Sequence, residues 1–386
     1  MTAARIILTG DFLRPQDEAF RPAQTGNILW LHRLLRRPLA AASGLEVQAL
    51  AWAPPAGSGA IAFDTPAFFA EAGAPADIEG WVGLFDASEL PRDAARLLAR
   101  AFEGAAAVIG FELAETQKRL LTRLGIAWVD LNIHPVRFGP DLLFAVQTNH
   151  AAIAEALAPH HAEEHVFEPW ADLLAATAVK VPLHPPVTES VLVVGQTRVD
   201  RALIAQGRLL DLASFLEAFH KAVGREGRVL FKPHPYNADG FGLHDLCLPL
   251  RRIREATDNA YLLMAQDSIR RVVGVSSSLV EEARFFGKEG VFLGTPPFRL
   301  ARQRHELAPG MHASVVDAWL SADFWRDLLA PVLPVSAHDG RRPALGPNAL
   351  RGALRQFWGW DEIAFQLPFD LVQQRVAARA ERQFCP

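Results

Sequence analysis

Three short segments hold residue types suited to gripping an anion and helping it leave. The first is Lys232-Pro-His-Pro235. Its two prolines fix the backbone and remove two amide donors, so His234 is rigidly presented. A histidine there can donate a charge-assisted hydrogen bond to a phosphate and stabilise a departing nucleotide, with Lys232 as a second cation. A proline-stiffened turn with a surface histidine has the same pattern. The second segment, Ser276-Ser277-Ser278, ends a strand pattern and opens a helix, offering hydroxyls and free backbone amides to an anion. The same serines also suit plain N-capping. Glu282 follows about one helical turn later, where a carboxylate can accept hydrogen bonds from ribose hydroxyls. Glu281 is its competitor, and two acids near a helix N-terminus are favoured by the dipole alone. The third segment is Gly195-Gln196 and the loop that runs on to Asp200.

Each segment directly follows an apolar run that reads as a strand: 190–194, 228–231 and 271–275. In open α/β sheets, ligands sit beyond the carboxyl ends of the strands, so shared placement there points to one site. Around these strands, 202–223 reads as mostly helical and 246–256 as a helix broken by Pro249. Residues 261–264 read as a short strand, 279–286 as a helix closed by Gly287, and 290–293 as a strand. The first half has its own alternation. Strands are expected at 5–9, 45–52, 105–111 and 126–131, and helices at 27–35, 90–102 and 113–124. Alternation of this kind implies a parallel sheet with helices on both faces. The proline-rich stretch 181–186 suits a hinge between two units. The expected division is therefore an α/β domain over 1–180, a second over 187–345, and helices over 346–386 that cross back to the first. Trp358 and Trp360 in that tail read as packed aromatics rather than sugar-stacking ones.

The set Gly195-Gln196-Thr-Arg-Val-Asp200, Lys232-Pro-His-Pro235 and Ser276-Ser-Ser-Leu-Val-Glu-Glu282-Ala, followed by Gly287-Lys288, resembles the retaining β-Kdo glycosyltransferases of capsule and O-antigen synthesis. The His-Pro and Ser-Ser elements are also similar to those of bacterial sialyltransferases. Gly110-Phe-Glu112-Leu and Val129-Asp130-Leu-Asn-Ile-His134-Pro-Val-Arg137-Phe138 resemble the β-Kdo group alone. The likeness spans about residues 105 to 300. It implies a GT-B fold with two Rossmann-like domains around a cleft, CMP-β-Kdo as donor, and a β-linked Kdo product formed through a covalent adduct on an aspartate. Asp200 matches that aspartate, although it also suits a helix cap. Double displacement needs a carboxylate below the anomeric carbon and an acid/base on the other side. Glu112 is the expected acid/base and Asp130 its reserve. Arg198, Arg137 and Lys232 are the candidates for the donor carboxylate, arginine being favoured for a forked contact. Asn27 and Asp11, in loops of the first half, are candidates for the acceptor, each against a turn or cap role.

Composition narrows the classes. The chain has 386 residues, half of them hydrophobic, enough for two full cores. A net charge of −4 gives no long-range pull toward nucleic acid or an anionic membrane. Cys247 and Cys385 have no zinc or redox spacing and read as free thiols of a reducing compartment. No run approaches a membrane span. These features suit a cytoplasmic enzyme, with peripheral docking at the inner membrane left open. No Asp-x-Asp pair is present, so no metal cofactor is expected. A CDP-glycerol-type glycerophosphotransferase shares the His-Pro and Ser-Ser elements but usually has an acid before the serines, where this chain has Val273-Gly274-Val275. A glycan-binding subunit without activity would be expected to lose His234 or the serines.

Overall fold

The computed structural model describes residues 4–15, 24–180, 183, 187–197, 199–224, 228–234, 240–246, 252–341, 346 and 348–353. Arg198, Pro235, Cys247, Cys385, both tail tryptophans and all of the 181–186 stretch except Leu183 lie outside the described residues, as does 354–386.

The first sheet contains β1 (Arg5–Gly10), β2 (Glu46–Trp52), β3 (Ile61–Phe63), β4 (Ala105–Phe111), β5 (Trp128–Ile133) and β6 (Phe144–Thr148). A late strand, Ala313–Val315, completes it. The order is late strand-β6-β5-β4-β1-β2-β3. Counted from β1, the six early strands follow the doubly wound order 3-2-1-4-5-6, with the direction of winding reversing between β1 and β4. Ile6, Ile7, Leu8, Val108 and Ile109 are fully buried. That is why these strands read as continuous apolar runs rather than alternating ones: both faces are covered.

Helix α1 (Gln24–Ser43) follows β1 and buries Leu31, Leu35, Leu39 and Ala42. It extends beyond the expected 27–35 and tolerates Pro38 inside. Two features depart from the expected parallel sheet. Strand β6 runs antiparallel to β5, and the late strand antiparallel to β6. Parallel neighbours need a crossover of a dozen or more residues. The link from Ile133 to Phe144 contains no helix and simply turns the chain back.

The second sheet contains β7 (Ser190–Val194), β10 (Val229–Lys232), β11 (Ile253–Glu255), β12 (Ile269–Gly274) and β13 (Glu289–Phe292), all parallel, in the order β11-β10-β7-β12-β13. Counted from β7 this is 3-2-1-4-5, reversing between β7 and β12. Between β7 and β10 the chain is not the helix expected over 202–223. It forms a hairpin of β8 (Ile204–Ala205) and β9 (Arg208–Leu209), and only then the helix Leu216–Val223. The hairpin exists because Gln206 and Gly207 both take positive φ, +54° and +69°, as a two-residue turn between right-twisted strands requires. Two other expectations are corrected. Residues 253–255 are the edge strand β11, not helix. Residues 261–264 belong to a helix, Ala260–Met264, because the Asn259 side chain accepts the N–H groups of Tyr261 and Leu262.

The chain returns to the first sheet earlier than residue 346. The late strand, which is β14, and the helix Ala322–Leu329, which packs on α1, put Trp319, Trp325 and Leu328 into the first core. Further along, the N–H groups of Leu350 and Arg351 bond to the buried Asp141 carboxylate. In exchange, the turn after β5 lends Val136, Phe138 and Leu143 to the core of the second sheet. The Phe138 ring meets Tyr261, Phe285 and Phe286 edge-on at 5.7–5.8 Å. Among the described residues, no helix is long and apolar enough to cross a membrane.

Candidate functional site

At the reversal point of the first sheet, Gly10 pairs with Phe111, and Phe111 with Leu131. The next residues along β1, β4 and β5 are Asp11, Glu112 and Asn132. Glu112 has φ of +53°, a left-handed backbone that costs a non-glycine residue about 1 kcal/mol or more. Its neighbours enforce that conformation. The Leu113 N–H donates to Asp130 Oδ1 at 3.0 Å, and the Glu112 N–H to the Leu131 carbonyl at 3.0 Å. A Cβ on Gly110 would lie 2.4 Å from Leu113 Cγ and 2.8 Å from Asp130 Oδ1, so the close approach requires glycine. The Glu112 side chain is half-buried, and its carboxylate accepts no hydrogen bond among the described residues.

Asp130 is fully buried and wholly engaged. Besides Leu113, it accepts from Asn132 Nδ2 at 3.0 Å and pairs with Lys118 Nζ at 3.0 Å. Burial pushes its pKa up, but Lys118, Arg201 and the Leu113 N–H outweigh that and hold it below the ordinary carboxylate range. Asp130, the reserve acid/base of the sequence reading, is thus a buried anion with three partners. Asp11 differs. One oxygen, Oδ2, accepts the Trp81 indole N–H at 2.8 Å, while Oδ1 is buried and has no hydrogen-bond partner among the described residues. Burial lifts this carboxyl to about 6, moderated by the Trp81 bond, the charges of Arg201 and Arg14, and the nearby Leu13 backbone N–H. Asn27 is buried in the first turn of α1, which lies over the end of β1 through Ile28.

At the reversal point of the second sheet, Gln196 and Ser276 clasp each other across the ends of β7 and β12. Gln196 Nε2 donates to Ser276 Oγ at 3.0 Å, and the Ser276 N–H to Gln196 Oε1 at 2.9 Å. The Gly195 N–H donates to the Lys232 carbonyl at 2.9 Å. A Cβ on Gly195 would come within 3.3 Å of the His234 nitrogen, so the 232–234 turn packs directly on the Gly195-Gln196 step. Lys232 is buried and His234 half-buried. Ser277 occupies the N-cap position of the helix Ser278–Glu282, yet its side chain makes no cap bond. Ser277, Ser278 and Glu281 line a small surface hollow beside Pro135 and Pro296. The three sequence segments thus meet at one sheet edge, with Arg198 and Pro235 outside the described residues.

Glu282 is not on that edge. It is fully buried and accepts the Arg137 backbone N–H at 2.6 Å and the Tyr261 hydroxyl at 3.0 Å. Burial pushes its pKa up to about 8 despite those donors and the Arg137 charge. Through the Arg137 N–H, Glu282 joins the halves, and Glu281 is the acid beside the serines.

The two edges are stitched together by arginines. Arg201, one residue past Asp200, reaches the first sheet and donates to Asn132 Oδ1 at 3.0 Å and to the Leu113 carbonyl at 3.4 Å. Burial works against its charge, but Glu112, Asp130, Glu115 and Asp11 hold its pKa raised. Arg14, over the Trp81 ring, donates to the Val199 carbonyl at 3.2 Å. Arg137 feels the charges of Glu282, Glu112 and Asp200, and its Nη1 is buried without a hydrogen-bond partner among the described residues. Asp200 caps the turn Arg201–Leu203 by accepting the Ala202 N–H at 3.1 Å. Arg201, Arg14, Trp81 and Lys118 were not singled out in the sequence. No motif marks them, and only tertiary contact gives them a place.

Among the described residues, no group of three or more His, Cys, Asp or Glu side chains is arranged to hold a metal ion. No family profile matches the sequence, and no curated protein does. Among solved structures, the chain is similar to Thermosulfurimonas dismutans KpsC, beta Kdo 2,7 transferase, with 14% identity and a TM-score of 0.35, over 71% of this chain and 90% of that one. It is also similar to the KpsC beta Kdo 2,4 transferase of the same organism, with 16% identity and a TM-score of 0.35, over 59% of this chain and 80% of that one.

Proposed function

We propose that the chain is a glycosyltransferase of GT-B architecture that moves Kdo from CMP-β-Kdo to a glycan or glycolipid acceptor with retention, in bacterial surface polysaccharide synthesis, without a metal. The observation that carries this reading is the meeting of two sheet reversal points through Arg201. One edge holds Gln196, Lys232, His234 and Ser276–Ser278, and the other Asp11 and Glu112. The motif likeness supplies the donor identity.

In this reading the donor phosphate lies by His234 and the serines, and Arg137 Nη1 faces the sugar carboxylate. An Asp200 oxygen bonds to the anomeric carbon while the bond from that carbon to the phosphate oxygen breaks. The electron pair leaves on CMP, where His234 and the serine hydroxyls stabilise the charge. The acceptor hydroxyl then bonds to the same carbon, its proton passes to Glu112, and the Asp200 ester opens. A ketosidic centre suits this because positive charge develops there readily. The test is a screen of CMP- and CDP-activated donors, in excess EDTA, followed by NMR of the product linkage. Transfer of Kdo as a β-linked product is expected. Turnover of CDP-glycerol instead, an inverted product, or activity restored only by magnesium or manganese would each overturn part of the reading.

A further inference from the structure

We infer that Asp11 and Glu112 together form an acceptor subsite for a vicinal diol, Asp11 Oδ1 accepting from one hydroxyl while Glu112 faces its neighbour. The inference deepens the glycosyltransferase reading and rests on it.

The pairing follows from the sheet. Asp11 and Glu112 are the residues directly after the paired Gly10 and Phe111, on adjacent strands about 4.8 Å apart. They flank the reversal of strand order, the place in such sheets where ligands enter. A separation of that size lets two carboxylates grip neighbouring hydroxyls of one sugar ring, each within ordinary hydrogen-bond reach.

Two further observations point to a ligand at Asp11. Its side chain is held in place, because Trp81 is fully buried and its indole N–H fixes Oδ2. Its other oxygen accepts no hydrogen bond of ordinary geometry among the described residues, although the residue is only 2% exposed. An unmet buried acceptor costs about 1–3 kcal/mol, and a hydroxyl donor would relieve that cost. With a pKa of about 6 the group is mostly ionised at neutral pH, so it accepts and does not donate. Arg201 adds positive charge beside both carboxylates, which limits their mutual repulsion. Arg14, stacked on Trp81, ties this end to the Val199 carbonyl of the second half.

The probes are methyl pyranosides of gluco, galacto and manno configuration and their single-deoxy analogues, followed by saturation-transfer NMR on the full chain with CMP present. The best-bound parent should lose about tenfold in affinity when one of two neighbouring hydroxyls is removed. Asp11→Ala should lose a similar factor with the parent and nothing further with that deoxy sugar. Asp11→Asn keeps an acceptor for Trp81 and guards against misfolding of the alanine variant. Trp81→Phe separates loss of the indole bond from loss of Oδ1. The inference is overturned if Asp11→Ala and Asp11→Asn both bind the parent as the wild type does, if the deoxy penalty persists in them undiminished, or if no glycoside binds. Failure of the donor reading is distinct: glycosides would bind with this pattern while CMP-Kdo is not turned over.

Discussion

Asp130 accepts the backbone N–H of Leu113 at 3.0 Å, and through that bond it holds Glu112 in a left-handed backbone conformation at the end of β4. A carboxylate that is fully buried and paired with Lys118 thereby sets the direction of one that is half-buried and unbonded. Strain of this sort persists only where the surroundings over-determine it.

Removing Asp130 should therefore cost both fold and activity. Asp130→Ala leaves the buried Lys118 with only Glu115 and Gln147, strips the Leu113 N–H and the Asn132 amide of their acceptor, and should destabilise the chain by about 3–5 kcal/mol in urea unfolding. Asp130→Asn keeps an acceptor for Leu113 and should lose less. The pKa of Asp130 is depressed on folding, so its stabilisation is present above the unfolded carboxylate value and is lost as pH falls through the lower folded one. The acid limb of the stability curve should flatten in Asp130→Asn. An unchanged limb would show that Lys118 and Arg201 do not hold this charge.

Glu282 should give a pH dependence of opposite sign. Its folded pKa is raised to about 8 from 4.5, chiefly by burial. Its stabilisation is complete below about pH 4.5 and is lost as pH rises toward about 8. Unfolding midpoints measured across that window should fall in the wild type and stay flatter in Glu282→Gln, which keeps an acceptor for the Arg137 N–H and Tyr261. Parallel curves would place the titration elsewhere.

The hairpin tip should act as a latch between the halves. Asp86, at the end of the helix Ile78–Phe85, accepts the N–H groups of Gln206 and Gly207 at 2.7 and 3.1 Å. Gly207→Val forces a β-branched residue to positive φ and should cost about 1–2 kcal/mol. Asp86→Ala should cost about 1–2 kcal/mol through two lost amide bonds. Hydrogen exchange should then speed up at 204–209 in both variants. Unchanged exchange would show that the hairpin is held by its other contacts.

The sequence made the strands of both sheets legible, because doubly covered strands are continuous apolar runs. It also made legible that Gln196 and the serines end neighbouring strands. The antiparallel β6 and β14 were hidden, since their direction depends on how a link turns and on a segment far along the chain. The helix Ala260–Met264 was misread because a four-residue apolar run has no period of its own, and the deciding residue, Asn259, lies outside the run. Gly207 was a turn signal inside a region read as helix. The depth of Glu282 and Asp130 was hidden, because sequence shows spacing and not burial. Arg201 was passed over for the opposite reason: its value lies in contacts with Asn132 and Leu113, on the other half of the chain.

Arg201 should matter more for chemistry than for folding. It links the Asp200 loop to the edge that holds Glu112. Arg201→Ala should slow transfer by about a hundredfold through misplacement of that loop. Arg201→Lys should recover little, because one ammonium cannot span the Asn132 side chain and the Leu113 carbonyl as the guanidinium does. CMP binding, read by calorimetry, should hold in both. Equal loss of CMP affinity and rate would make Arg201 part of the donor site instead of a bridge between edges.

Asp200 poses the sharpest question, because its cap role and its proposed attack on the anomeric carbon make different demands. Capping needs only a side-chain oxygen to accept the Ala202 N–H, and asparagine serves nearly as well as aspartate. Attack needs an anionic oxygen, which asparagine lacks. Asp200→Asn should therefore keep the unfolding midpoint and CMP affinity while abolishing most transfer. Asp200→Ala should lose about 1 kcal/mol of stability as well, the usual cost of an N-cap. If the residue is only a cap, the asparagine variant should transfer at nearly the wild-type rate. Intact-protein mass spectrometry with CMP-Kdo and no acceptor supplies the second measurement. A one-Kdo mass increase should appear in the wild type, map to the peptide containing Asp200, and be absent from Asp200→Asn. An adduct on Glu112 would exchange the two roles. That outcome would still require a carboxylate on each side of the sugar, and Arg201 would still join the elements that carry them.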